Sequence, residues 1–180
     1  LWEPSAKQQA SCLMQKFLED VYRLQKIKHA CWTDLYEWSI NNVGDFWSTL
    51  SEFVGLKWIT APECTYRPGE TMRGGAWFEG ARLNFAENLL PKPSSQVALV
   101  AIAEGAVRQE WTALQLWNDV ARCAKALKDA GVKPGDRVAG VLINGPEAVI
   151  AMLGAAAIGA VWSSCSPDFG AGGIRDRLSQ

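Results

Sequence analysis

The pattern of apolar and polar residues is most regular between residues 137 and 165, where it predicts a strand, a helix and a second strand. Residues 137–143 form a short, mostly apolar run between turn signals, which is typical of a buried strand. Gly145-Pro146 predicts a helix start, because proline needs no N–H in the first turn, and Gly159 predicts its end. Residues 161–165 then resume an extended run.

The predicted helix is apolar on almost all sides, so we expect it to lie inside a protein. Two buried strands joined by a buried helix form a parallel βαβ unit with a right-handed crossover. Ligands of open parallel sheets bind at the carboxyl ends of the strands. The polar stretch from Ser163 to Gly173 follows such an end and is the candidate functional surface, while residues 174–180 predict the first turns of another helix.

Upstream, residues 97–103 and 107–111 predict two strands joined by a tight turn at Glu104-Gly105. A capping box, Thr112 with Gln115 three residues later, opens a helix that runs to Ala130.

The first part of the chain predicts helices and then an irregular segment. Ser5 and Gln8 form another capping box, followed by one amphipathic helix. Its apolar stripe carries Leu13, Phe17, Val21 and Leu24. Two further short helices are predicted at 33–38 and 44–54, residues 57–91 show no sustained period, and 91–95 is rich in proline and serine. We therefore expect two domains, residues 1–94 and 95–180.

Composition excludes several classes of protein. With 180 residues, 48% hydrophobic content and a net charge of −1, the chain has no electrostatic footprint for nucleic acid or an anionic membrane. No transmembrane or signal-peptide pattern is visible in these residues, so we expect neither. Five cysteines are scattered without a C-x-x-C pair, which predicts reduced thiols, no zinc site and a cytosolic location.

Common catalytic motifs are missing. There is no Walker A loop and no H-E-x-x-H, and the one histidine, His29, predicts a surface or capping role. Residues 170–173 are glycine-rich but lack the dinucleotide-binding spacing. Cys165 is a candidate nucleophile or, more simply, a small buried apolar residue. Physical reasoning alone therefore reaches an α/β protein with a ligand near residues 163–173.

Three stretches nevertheless resemble the adenylate-forming acyl-CoA synthetases. The helical N-terminal extension of these ligases resembles three parts of this chain, residues 1–4, 34–39 and 45–47. Residues 82–90 look like the signature that closes this extension. The run Trp162-Ser163-Ser164-Cys165-Ser166-Pro167-Asp168-Phe169-Gly170 resembles the acetoacetyl branch.

This resemblance implies a fold and a reaction. The fold would be α/β, with the helical extension followed by the first βαβ units of an open, mainly parallel sheet. The reaction would join acetoacetate to coenzyme A through an acyl-adenylate, with ATP consumed and Mg²⁺ neutralising the phosphate charge.

The family's phosphate loop and catalytic lysine would lie beyond Gln180, so residues 1–180 alone are expected to be inactive. By the same resemblance, Ser166, Pro167, Asp168 and Phe169 would border the coenzyme A channel. The simpler alternative is that this loop only turns the chain from strand to helix.

The sequence also permits other interpretations of the function. The chain is expected to act with the remainder of its own polypeptide on a small molecule, without nucleic acid or membrane. An acetyl- or propionyl-CoA synthetase-like ligase is one alternative, and a truncated module without catalysis is another.

Overall fold

The computed structural model describes residues 2–25, 31–105 and 108–180, which form eight α-helices and six β-strands. His29 lies outside the described residues, and so does the start of the strand predicted at 107–111. The chain divides into two compact units, Leu1–Arg82 and Leu83–Gln180. None of the described helices is long and apolar enough to cross a membrane.

The first unit contains four helices and a β-hairpin. Its elements are α1 (Ala6–Ser11), α2 (Leu13–Gln25), α3 (Trp32–Asn41), α4 (Val43–Phe53), β1 (Cys64–Arg67) and β2 (Ala76–Glu79). Phe17, Val21, Leu35 and Trp38 form the buried core between the helices. The ring of Phe17 meets that of Phe53 edge-on at 5.1 Å, a favoured aromatic geometry.

The single N-terminal helix predicted from the sequence is wrong, because the chain breaks at Cys12. The capping box at Ser5 and Gln8 is present and starts α1. Cys12 then adopts an extended conformation, and its Sγ accepts a hydrogen bond from the Gln15 N–H at 3.3 Å, which starts α2 as a separate helix. Of the predicted stripe, Phe17 and Val21 are buried, whereas Leu13 and Leu24 are exposed.

The segment predicted as irregular contains a short antiparallel hairpin. In this hairpin Tyr66 of β1 lies opposite Trp77 of β2, with ring centroids 4.4 Å apart. Such cross-strand aromatic pairs stabilise a two-stranded sheet. The strands have only four residues each, which is too short for a period to show in the sequence.

The second unit is an α/β structure. Its elements are α5 (Phe85–Leu89), β3 (Val97–Ala101), β4 (Gln109–Thr112), α6 (Ala113–Asp129), β5 (Arg137–Val141), α7 (Pro146–Ala157), β6 (Val161–Cys165) and α8 (Gly170–Leu178). Strands β3 and β4 pair antiparallel, and β5 and β6 pair parallel. The predicted α/β class and the βαβ unit are therefore confirmed. The prediction that both strands are buried is wrong: Gly140 is buried, but Val141 and Val161 are 42% and 55% exposed. Among the described residues β5 and β6 pair only with each other, so much of this small sheet is left uncovered.

Several element bounds differ from prediction. Helix α3 extends over Trp32–Asn41 rather than 33–38. The strands predicted at 97–103 and 137–143 each end two residues early, because the chain turns there. Helix α8 begins at Gly170, four residues before the predicted start at Ile174. The capping box that opens α6 is confirmed, with the Thr112 Oγ1 accepting from the Gln115 N–H at 3.2 Å.

Helices α6 and α7 pack closely through a glycine. A Cβ added at Gly154 of α7 would lie 2.8 Å from the Sγ of Cys123 and 3.3 Å from the backbone N of Ala124, both in α6. Leu116, Val120 and Leu153 form the buried core beside this contact. Burial raises the pKa of the Cys123 thiol above its ordinary value.

The raised pKa of Cys123 predicts slow alkylation. Only the thiolate reacts, and at pH 8 Cys123 should carry less of it than an unperturbed thiol. A time course with iodoacetamide, read by mass spectrometry, should therefore label the exposed Cys64 well before the half-buried Cys123. In urea the pH profile of Cys123 should shift to lower pH and its rate should approach that of Cys64. Equal rates in the folded protein would contradict this packing.

Candidate functional site

A cleft opens where the two parallel strands end. It has a volume of about 490 Å³ and lies between the carboxyl ends of β5 and β6 and the start of α7. We call it the strand-end cleft. Its lining residues are Leu142, Ile143, Asn144, Ala148, Ser164, Cys165, Ser166, Asp168 and Phe169. The position agrees with the general rule for ligand sites in open parallel sheets.

The first wall follows from the end of β5. The Leu142 N–H donates to the Cys165 carbonyl at 3.1 Å, which extends the strand pairing by one step. A tight turn follows, with the Gly145 N–H donating to the Ile143 carbonyl at 2.8 Å. Pro146 then begins α7, so Ile143 and Asn144 are left at the rim of the sheet.

The second wall is the loop of residues 166–169, here called the strand-end loop. Ser166 holds this loop in shape: its hydroxyl donates to the Asp168 carboxylate at 2.8 Å and accepts from the Asp168 N–H at 3.3 Å. Pro167 fixes the backbone of the single 3-10 turn that results. The loop is therefore closed by hydrogen bonds between its own residues.

An aromatic stack closes the outer end of the strand-end loop. The guanidinium carbon of Arg177 lies 3.6 Å from the centroid of the Phe169 ring. Gly170, the first residue of α8, follows the loop with φ +63° and ψ 169°, a conformation that is essentially restricted to glycine. This glycine therefore sets the direction in which α8 leaves the loop.

Three of the four predicted site residues line the cleft. Ser166, Asp168 and Phe169 are among its walls, whereas Pro167 shapes the turn between them. Cys165 is half-buried and also lines the cleft. Asn144 and its neighbours were not predicted, although the same strand-end rule, applied to β5, points to them. Among the described residues, no group of three or more His, Cys, Asp or Glu side chains could hold a metal ion.

The stretch 82–90 has a structural role near the other end of α7. Asn84 caps α5, because its Oδ1 accepts from the Glu87 N–H at 3.1 Å. Its Nδ2 donates to the carbonyls of Ala156 and Ala157 at 3.0 and 3.2 Å. The last carbonyls of a helix need such external donors, so Asn84 ties α5 to the end of α7.

Comparison with known families assigns most of the chain. The sequence-family model of the AMP-binding enzymes matches residues 85–180. The model described as the acetyl-coenzyme A synthetase N-terminus matches residues 32–89.

Individual relatives are similar over the whole chain. Acetoacetyl-CoA synthetase from Macaca fascicularis is 41% identical across 100% of this chain, and malonamoyl-CoA synthetase from Penicillium aethiopicum is 36% identical. The chain spans about 27% of the length of the curated relatives it matches. The solved acetoacetyl-CoA synthetase from Streptomyces lividans superimposes with a TM-score of 0.88 at 34% identity, covering 99% of this chain and 28% of that one. A family match across more than half the chain, joined to the βαβ unit and its strand-end cleft, shows that the chain belongs to the AMP-binding enzymes.

Proposed function

We propose that this chain forms the N-terminal part of an ATP-dependent ligase that converts acetoacetate, ATP and coenzyme A to acetoacetyl-CoA, AMP and pyrophosphate. The observation that carries the proposal is the similarity to acetoacetyl-CoA synthetases from end to end, in sequence and in fold. The proposed enzyme acts in the cytosol on small molecules, with the remainder of its own polypeptide as partner. Its proposed domains are residues 1–94 and 95–180, while the compact units divide after Arg82.

The strand-end loop is the proposed wall of the coenzyme A channel. The cleft volume of about 490 Å³ falls in the range of small-molecule sites and suits a slender chain such as the pantetheine arm. Ile143 and Phe169 offer apolar walls to such an arm, and Asn144 and Ser164 offer hydrogen-bonding groups to its amides. Coenzyme A supplies the thiol that accepts the acyl group, and the residues of this chain bind and orient its arm.

We propose that the strand-end loop favours binding because its shape is fixed in advance. Ser166 and Asp168 hold the turn, so little conformational entropy is lost in the loop when coenzyme A binds. Mg²⁺ is proposed for the complete enzyme as the ion that neutralises the phosphates of ATP. The described residues contain no cluster that fits a metal ion, so no residue of this chain is assigned to it.

The malonamoyl-CoA synthetase relative supports a second candidate acid. Malonamate, like acetoacetate, is a short acid with a carbonyl group at its third carbon. A site that recognises this carbonyl would accept either acid and reject acetate and propionate.

The proposal is tested by pyrophosphate exchange in the full-length enzyme. Exchange of labelled pyrophosphate into ATP reports the first half-reaction alone and requires only the acid, ATP and Mg²⁺. We expect acetoacetate to support exchange at least about tenfold faster than acetate or propionate, because losing a recognised polar group is costly to a buried site. Exchange with malonamate at a rate similar to that with acetoacetate would indicate that the site recognises the carbonyl at the third carbon. Faster exchange with acetate or propionate would indicate an acetyl- or propionyl-CoA synthetase-like ligase instead. The absence of exchange with any acid would favour a module without catalysis.

A further inference from the structure

Phe169 connects the strand-end cleft to helix α8. Its side chain lines the cleft and is 49% exposed. Arg177 lies two turns along α8, with its guanidinium carbon 3.6 Å from the centroid of the ring. The Nη1 of Arg177 also donates to the Gly173 carbonyl at 3.2 Å, which holds the guanidinium in place. The position of Arg177 therefore bears directly on one wall of the cleft.

The backbone leaves room for this stack at one position. A Cβ added at Gly173 would lie 3.3 Å from the Cβ of Phe169 and 3.4 Å from the Nη1 of Arg177. The first distance is tighter than ordinary van der Waals contact and the second is at its lower limit, so a side chain here would press on Phe169 and touch Arg177. Gly173 thus provides the space in which Phe169 and Arg177 meet.

We propose that Arg177 is a positioning residue of the coenzyme A site: it acts through Phe169, whose ring it holds against the cleft. The inference rests on the proposed function, because it takes coenzyme A as the occupant of the cleft. A ring held by a cation–π contact loses little freedom when a ligand packs beside it. Releasing the ring lowers the fraction of molecules with a formed wall and weakens binding accordingly.

The test is a double-mutant cycle on coenzyme A binding by the full-length enzyme, measured by isothermal titration calorimetry. Arg177→Met keeps an unbranched apolar stem and removes the planar cation, and Phe169→Leu removes the ring. We expect Arg177→Met to raise the Kd for coenzyme A about two- to fivefold, the range that a partly exposed cation–π contact supplies. In the Phe169→Leu background the same change should have no further effect.

A matched control lies two residues away on the same helix. Arg175→Met removes the same charge but not the stack, so its Kd should equal that of the wild type. Arg177→Lys keeps the positive charge without the planar group and should give an intermediate Kd. The melting temperature should remain that of the wild type in all of these variants, because the stack is at the surface.

Each outcome decides the proposal. Coupling between residues 169 and 177 in the Kd, at unchanged melting temperature, supports it. Additive effects would mean that Arg177 contacts coenzyme A directly, and an unchanged Kd in Arg177→Met would remove its role; both overturn the inference and leave the proposed function standing. Absence of coenzyme A binding to the wild type would overturn the inference and the proposed acceptor together. If the wild type binds coenzyme A but shows no acetoacetate-dependent pyrophosphate exchange, the assignment of acetoacetate as the acid is wrong and the inference about Arg177 stands.

Discussion

Replacing Gly154 with valine is expected to destabilise the protein by about 1–3 kcal/mol, the usual cost of overpacking a close-packed core. The added Cβ would lie 2.8 Å from the Cys123 Sγ and 3.0 Å from its Cβ. It would also lie 3.3 Å from the backbone N of Ala124, which cannot move without α6. Two helices must therefore separate, and the Leu116–Leu153 core between them would open with them.

The measurement is urea or thermal unfolding of the chain, with Gly172→Val as the matched control. Gly172 also lies within a helix, yet a Cβ there would meet nothing within 4 Å. Both variants exchange the same residue types, so the difference between their unfolding free energies isolates the clash. Replacing Cys123 with alanine should restore part of the stability of Gly154→Val, because it removes the nearest atom. Equal stability of the two valine variants would show that α6 and α7 do not meet at Gly154.

The helix–helix contact illustrates what the sequence could predict. The apolar run 146–158 indicated a buried helix between two strands, and the structure confirms it, because strong periodicity and turn signals act locally. That Gly154 faces Cys123 depends on how α7 is rotated against α6, which is a property of the packed pair. A helix that is apolar on all sides gives no signal of this rotation.

The candidate site divides in the same way. The strand-end rule located the loop after β6, since parallel strands bring their carboxyl ends to one edge. The stack of Phe169 on Arg177 was not predicted, because the glycine-rich run 170–173 has low helix propensity and hid the start of α8. Tertiary context overrides that propensity, and it places Arg177 two turns from the ring.

Replacing Asp168 with tryptophan is expected to slow thioester formation about tenfold or more while largely sparing adenylate formation. Asp168 lies at the strand-end cleft on the proposed coenzyme A channel. An indole there adds bulk at the cleft and removes the carboxylate that Ser166 binds at 2.8 Å. A tenfold loss corresponds to about 1.4 kcal/mol of transition-state binding, a modest demand for an obstructed channel.

Two assays on the full-length enzyme separate the half-reactions. Acetoacetate-dependent pyrophosphate exchange reports the adenylate step, and acetoacetyl-CoA formation reports both steps. Asp168→Asn separates bulk from the lost hydrogen bond: its amide oxygen can still accept from Ser166, so only a small change is expected. Asp176→Trp places the same indole on α8 outside the cleft and should leave both assays unchanged. If exchange falls as far as thioester formation in Asp168→Trp, the loop shapes the fold rather than the channel, and its assignment to coenzyme A is wrong.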